Sequence, residues 1–299
     1  MTLDHETRER LMAGVADAGR EVMAIYHGGY EVTQKADDSP VTEADMASHH
    51  ALLALLERET PEIPVISEEA TETPAATRRR WSRFWLVDPL DGTKEFIARN
   101  GEFTLHLALV EDGVPVFGIV HAPALPEGAV TWWGQVGQGG EGPGQGAYRR
   151  DMATDESTEG EAGHRDRPIG VRALPDPADE PWQVVGSRRH GLAAFETFCE
   201  ALPAYATRTI GSSLKFCLIA EGQADLYPRL APTYEWDTAA AQAIITAAGG
   251  QVLNAETLEP LRCNQGESLL NPGFIACGQR DTRWEKALAE ARGVDRDEG

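Results

Sequence analysis

Two aspartates three residues apart, Asp88 and Asp91, stand at the end of an apolar stretch in "WLVDPLDGTKEFI" (85–97), with Pro89 between them. A strand that ends this way holds both carboxylates, and the carbonyl of Leu90, around one small volume. Two like charges so close stay ionised together only when a proton or a cation sits between them. Hard oxygen donors without His or Cys point to Mg2+ rather than zinc. The competing reading is a plain turn, since Asp, Pro and Gly are turn residues.

A second apolar stretch also ends in acids, at Glu68 and Glu69 of "VISEEA". If the two strands are neighbours and point the same way, Glu68 comes beside Asp88, and shared carboxylates can hold two metals that clamp a phosphate and ready a water. Taken alone, Glu68 and Glu69 read as a solvated pair. Asp237 in "YEWDTAAAQAII" starts a helix, where it serves equally as an N-cap or as an anionic metal ligand favoured by the helix dipole. Thr42 and Asp45 in "SPVTEAD" have capping-box spacing ahead of an apolar run.

These residues need a scaffold. Leu11, Val15, Ala18, Val22 and Ile25 alternate by four and three, which predicts an amphipathic helix over 5–27. The loop "KADDSPVTEAD" leads to a second helix that buries Leu52, Leu53 and Leu56. Short strands are expected at "IPVI" (63–66) and "RFWLV" (83–87). "FTLHLALV" and "VPVFGIV" flank Glu111-Asp112-Gly113 as a hairpin, with "AVTWWGQV" as the next strand. Residues 134–166, rich in Gly and acids, read as a solvent-facing excursion, with neither the G-K-[ST] of a phosphate loop nor the spacing of an EF-hand.

From about residue 181 strands and helices alternate: strand "WQVVGS", helices near 191–202 and 212–221, strand "ADLY", and a helix over 237–248 stopped by Gly249-Gly250. Strands "QVLN" and "GFIACG" and a helix from Asp281 close the chain. An antiparallel half (1–180) carrying most of the acids, followed by an α/β half (181–299), predicts a layered α/β/α/β architecture.

The net charge of −21 argues against binding a nucleic-acid backbone. It fits either adaptation to a salty cytosol or a bias in base composition. The absence of a long apolar run and of a signal-peptide core predicts a cytoplasmic chain with no membrane anchor. Cys199, Cys217, Cys263 and Cys277 are widely spaced and read as buried thiols. Lysine occurs only at positions 35, 94, 215 and 286, so Lys215 inside "GSSLKFC" stands out.

Together, "KADDSPVTEAD", "SEE", "WLVDPLDGTKEFI", "GSSLKFCLIAEGQADLYPR" and "EWDTAAAQAI" closely resemble the inositol monophosphatase superfamily. The "SPVT", "GTKEF" and "GSSLKFC" stretches favour its 3'(2'),5'-bisphosphate nucleotidase branch. The resemblance implies the layered α/β/α/β/α sandwich shared with fructose-1,6-bisphosphatase, and a Mg2+-dependent, Li+-sensitive phosphatase with two or three ions per site. It implies that Glu68, Asp88, Asp91, Asp237 and the Leu90 carbonyl ligate metal. Glu68, Asp45 and Thr93 would serve catalysis, Thr93 polarising the attacking water with Asp45 in support. Gly92 and Thr93 would hold the scissile phosphate through backbone N–H groups. Ser212, Lys215 and Arg229 would contact the phosphates of a small nucleotide, and Ser187 or His190 of "GSRRH" its ribose or adenine.

The implied reaction is removal of the 3'-phosphate of adenosine 3',5'-bisphosphate to leave AMP, a step of sulfate assimilation, by a monomer or homodimer. An inositol-phosphate or broader sugar-phosphate phosphatase is the alternative on the same scaffold. A binding module without turnover and an acidic structural scaffold are the readings from other classes.

Overall fold

Alternation decides which way each strand of the large sheet faces. In the run 84–87, Trp85 and Val87 point to one side and Phe84 and Leu86 to the other, and all four are buried. A strand buried on both faces must lie between two layers. The computed structural model, which describes residues 3–29, 32–34, 40–71, 73–137, 145–151, 166–187 and 192–292, shows what those layers are.

The elements run α1 (His5–His27), β1 (Val32–Gln34), β2 (Pro40–Thr42), α2 (Glu43–Glu59), β3 (Val65–Ser67), α3 (Ala75–Arg78), β4 (Arg83–Asp91), α4 (Thr93–Ile97), β5 (Thr104–Glu111), β6 (Val114–Ala122), β7 (Val130–Gln135), β8 (Gly146–Asp151) and β9 (Asp166–Ile169). They continue β10 (Trp182–Gly186), α5 (Leu192–Glu200), β11 (Tyr205–Thr209), α6 (Leu214–Ala220), β12 (Leu226–Arg229), a 3-10 turn (Glu235–Asp237), α7 (Ala239–Ala247), β13 (Gln251–Asn254), β14 (Phe274–Cys277) and α8 (Thr282–Ala291). Strands β3 to β9 form a seven-stranded sheet in sequence order, and a five-stranded sheet has the order β11-β10-β12-β14-β13. In the large sheet only β3 and β4 pair in parallel.

Three apolar clusters give the layering. Leu11, Val15, Val22, Leu52 and Leu56 of α1 and α2 pack on Trp85, Val87, Leu107 and Ile119. The opposite face, with Phe84, Leu86, Ala108 and Val120, meets α6 and α7 and, beyond them, Tyr227, Val252, Phe274 and Ala276 of the second sheet. The far face of that sheet packs Val184, Leu226 and Ile275 against Phe198 of α5 and Trp284 and Leu288 of α8. The result is the expected α/β/α/β/α sandwich.

Local departures from the expected elements have local causes. Tyr26, rather than Ile25, takes the last core position of α1, and Leu55, rather than Leu53, is buried in α2. Helix α2 begins inside the acidic motif, at Glu43. Strand β4 does not turn at Asp88 but runs to Asp91 through an irregularity against β5. The 134–166 stretch, expected as a solvent-facing excursion, contains β8 and leads into β9, which together extend the sheet beyond β7; residues 138–144 and 152–165 lie outside the described residues. All four cysteines are buried thiols. Among the described residues, no helix is long and apolar enough to cross a membrane.

Helix α7 lies close on the large sheet because two paired residues there, Gly118 of β6 and Gly134 of β7, have no side chains. A Cβ at Gly118 would stand 2.1 Å from the Ala240 carbonyl oxygen, and one at Gly134 would stand 2.7 Å from the Ile244 Cα. Both obstacles are backbone. Gly118→Ala is therefore expected to push α7 off the sheet at a cost of about 1–3 kcal/mol or more. A thermal melt checks this, with a fall of several degrees expected; an unchanged melting temperature would show that α7 shifts freely.

Candidate active site

The parallel pairing of β3 and β4 brings two acidic strand ends together. Ser67 lies opposite Val87, and the Glu68 N–H donates to the Val87 carbonyl at 3.2 Å. The 3-10 turn at the start of α7 delivers a third acid. One carboxylate oxygen each from Glu68, Asp88 and Asp237 lies within 4.8 Å of the others.

Asp88 sits deepest, at 1% exposure. Its Oδ1 accepts the Leu90 N–H at 3.0 Å, while its Oδ2 is buried and receives no hydrogen bond among the described residues. Burial first, and then the charges of Glu68, Asp91 and Asp237, push its carboxyl well above the usual range. Asp237 is raised well above that range for the same reasons, burial first and then Asp91 and Glu68. Its Oδ2 accepts the Tyr234 N–H at 2.9 Å, so it caps the 3-10 turn, while Thr238 occupies the N-cap position of α7. The helix predicted from 237 thus starts two residues later, and the dipole reading of Asp237 does not hold as stated.

Asp91 is built differently. Its Oδ2 accepts from Ser213 N at 2.7 Å, from the Ser213 hydroxyl at 3.1 Å and from the Ser212 hydroxyl, with Thr104 Oγ1 at 3.5 Å. It lies outside the three-acid set but lines the same cavity. Ser212, expected at a substrate phosphate, gives its hydroxyl to Asp91 from a left-handed backbone (φ 50°).

Thr42 and Asp45 do form a capping box: Asp45 Oδ2 accepts Thr42 N at 2.7 Å and Thr42 Oγ1 at 2.6 Å. The same carboxylate reaches the candidate site. Its Oδ1 accepts from Thr93 Oγ1 at 3.1 Å, and Thr93 Oγ1 lies 3.5 Å from the Leu90 carbonyl oxygen. Burial raises the Asp45 carboxyl above its usual range, against the hydrogen bonds from Thr42 and Thr93. The cap and the site contact are one residue. Gly92 makes the turn into α4 with φ 94°, and a Cβ there would lie 3.2 Å from the Glu102 carbonyl oxygen.

A cavity of about 370 Å³ opens beside these groups, and Glu68, Asp91, Gly92, Thr93 and Asp237 are among the residues that line it. Ser187, Ser212, Lys215, Tyr227 and Arg229 line it too. Lys215 is buried and donates from Nζ to the carbonyls of Ile210 at 3.1 Å and Ser212 at 2.5 Å, over the Tyr227 ring at 5.4 Å. An ammonium has three donors, so one is left for a ligand. Burial pulls its pKa down to about 8. Arg229 is braced by the carbonyls of Ala231 and Pro232, at 3.2 and 3.1 Å. His190 lies outside the described residues.

Sequence reasoning missed Ser48, Thr104, His106 and Ser213. Ser48 ties α2 to the Pro89 carbonyl at 2.7 Å. His106 is fully buried between Thr104, 2.8 Å from Nε2, and the Trp236 carbonyl, 3.2 Å from Nδ1, and burial lowers its pKa so that the ring is neutral. Thr104 and His106 are successive same-face positions of a strand that is otherwise apolar as far as Val110, and that pair of polar residues is the available signal.

The sequence matches the profile of the inositol monophosphatase family over residues 4–293. The chain is 45% identical over 261 residues to the 3'(2'),5'-bisphosphate nucleotidase CysQ of Salmonella typhimurium, covering 86% of this chain and 94% of that one. It is 43% identical to the protein of the same name from Escherichia coli K12, with the same coverage. Among solved structures, CysQ from Bacteroides thetaiotaomicron, a bacterial member of the inositol monophosphatase family, aligns with a TM-score of 0.74 at 37% identity, over 91% of this chain and 97% of that one.

Proposed function

The chain belongs to the inositol monophosphatase family, and on that premise we propose that it is a Mg2+-dependent phosphomonoesterase that removes the 3'-phosphate of adenosine 3',5'-bisphosphate, leaving AMP. The observation that carries this reading is the cavity itself. It brings carboxylates, a buried lysine and an arginine onto the wall of one cavity, a set of groups suited to a ligand that carries both metal-bound and cation-bound phosphate.

The acidic end fits a hard divalent cation. All its donors are oxygens, and the buried Asp88 Oδ2 is left without a hydrogen bond from the described residues. Glu68, Asp88, Asp91, Asp237 and the Leu90 carbonyl would hold two or three Mg2+. Such ions, when bound, activate a water and offset charge on the phosphoryl oxygens and the leaving group.

The chain's own groups do the positioning. Asp45 accepts the Thr93 hydroxyl proton, which leaves the Thr93 oxygen free to accept a proton from the attacking water. Gly92 and Thr93 present backbone N–H groups to the scissile phosphate. Lys215 and Arg229 bind the phosphate that stays on the product. Ser212 acts on the substrate through Asp91, which it holds, rather than by direct contact. Water attacks phosphorus directly, with no covalent enzyme intermediate.

Thr93→Val keeps the shape and deletes the hydroxyl. It is expected to lower kcat about a hundredfold while KM changes little. Steady-state kinetics on the bisphosphate check this, and an unchanged kcat would remove Thr93 from the mechanism. The assignment as a whole is tested by the product, followed by 31P NMR in Mg2+ and in EDTA. Inorganic phosphate and 5'-AMP, in Mg2+ alone, are expected. Adenosine 3'-phosphate as product would reverse the proposed placement of the two phosphates.

A further inference from the structure

We infer that His106 is a positioning residue that fixes the spacing between two of the proposed metal ligands, Asp91 at the end of β4 and Asp237 in the 3-10 turn. The inference rests on the metal-site reading above and extends it to a residue which never touches the ion.

Asp91 and Asp237 come from elements that share no ladder, so something must set their separation. Two polar bridges do so. In the short one the Ser213 hydroxyl lies 3.1 Å from Asp91 Oδ2 and 3.0 Å from the Asp237 carbonyl oxygen. The longer one runs through β5. A carbonyl only accepts, so the Trp236 carbonyl 3.2 Å from Nδ1 fixes the His106 proton on that nitrogen. The neutral ring accepts at Nε2, and the Thr104 hydroxyl, 2.8 Å away, gives its single proton there. Thr104 Oγ1 is then left as an acceptor, and the single proton of the adjacent Ser212 hydroxyl lies between it and Asp91 Oδ2 as a three-centre bond.

The chain therefore runs Trp236, His106, Thr104, Ser212, Asp91, with one proton at each of the first two links and the single Ser212 proton shared at the last two. Both His106 and Thr104 are buried, with exposures of 1% and 0%, so no bulk water replaces either partner. Asp91 Oδ2 is occupied by these donors, which leaves Oδ1 as the oxygen to offer a cation. Losing the imidazole frees the Thr104 proton to turn toward Ser212 or Asp91 and unties the turn that carries Asp237. Groups that orient metal ligands in this way commonly change metal affinity by about tenfold to a hundredfold.

The test is a Mg2+ titration followed by the thermal stabilisation of the full chain, for wild type, His106→Leu, His106→Asn and Thr104→Val. The Mg2+ midpoint is expected to rise about tenfold to a hundredfold in His106→Leu and Thr104→Val. It should rise less in His106→Asn, whose amide can still donate to the Trp236 carbonyl. At saturating Mg2+ both kcat and KM for adenosine 3',5'-bisphosphate should return to within a few-fold of wild type, whereas a folding defect would leave the apparent kcat depressed by the lost active fraction. Unchanged midpoints in both His106→Leu and Thr104→Val would overturn the inference alone. A wild-type chain that shows no Mg2+ response would overturn the metal reading itself. Should His106→Leu not fold, Thr104→Val and His106→Asn decide the matter.

Discussion

Asp88→Asn is expected to lower metal-dependent turnover by about a thousandfold and, in EDTA, to raise the melting temperature by several degrees. Both effects have one cause. Asp88 is buried, its Oδ2 receives no hydrogen bond among the described residues, and its neighbours Glu68, Asp91 and Asp237 are also acids. Without a cation this carboxyl either crowds its charge against Glu68, Asp91 and Asp237 or takes up a proton, and an amide of the same shape removes that cost. With a cation it is a ligand whose charge an amide cannot replace.

The pH dependence that the buried acids give the metal-free chain has a definite sign. The folded pKa values of Asp88 and Asp237 lie above their unfolded values, and that of the buried Glu235 is raised to about 7. These three carboxyls hold more protons in the folded than in the unfolded chain from about pH 4 upward, so their contribution to stability falls as pH rises. His49, His106 and His121, whose pKa values burial lowers, act in the opposite sense below about pH 6.5. In melts in EDTA at pH 5 and pH 8, Asp88→Asn should gain more over wild type at pH 8 than at pH 5, so that the gap between the two pH values differs between the chains by the share due to Asp88. An equal gap in the two chains would mean that Asp88 is not the strained group.

Lys215→Met is expected to lower kcat/KM for adenosine 3',5'-bisphosphate by roughly tenfold to a hundredfold, which is the worth of a hydrogen bond to a charged group. Hydrolysis of inositol 1-phosphate, which has no second phosphate, should be nearly unaffected. The methionine keeps the apolar stem against Tyr227, so packing is largely preserved. The wild-type chain should show the same loss with pH. Burial lowers the Lys215 pKa to about 8, so its charge disappears as pH rises through that value. The KM for the bisphosphate should climb above pH 8 while that for inositol 1-phosphate stays flat. A parallel change for both substrates would place Lys215 outside substrate recognition.

Much of the scaffold is legible because burial writes itself into period and punctuation. The apolar 84–87 run of β4, the hairpin at Asp112-Gly113 and the stop at Gly249-Gly250 all fall where the residues put them. The meeting of Glu68 and Asp88 is legible too, given the one assumption that β3 and β4 run in the same direction. What the sequence hides is set by neighbours distant in the chain. Strand β11, "YATRT", is an exposed sheet edge whose only reason to extend is its partner β10. Ser212 reads as a phosphate contact from its motif, yet its hydroxyl goes to an acid more than a hundred residues away. His106 looks like one more strand residue until the Trp236 carbonyl stands beside it. Asp45 shows the opposite case, since its local capping pattern is real and conceals a second contact with Thr93.

The most direct test of substrate choice is the ratio of kcat/KM for adenosine 3',5'-bisphosphate to that for inositol 1-phosphate, measured on one preparation in saturating Mg2+ and again in EDTA. A cavity lined by acids together with Lys215 and Arg229 predicts a ratio of at least about a hundredfold in favour of the nucleotide, with both activities lost in EDTA. A ratio near one, or in favour of the inositol ester, would contradict the nucleotidase assignment. Phosphate release that persists in EDTA would contradict the metal site.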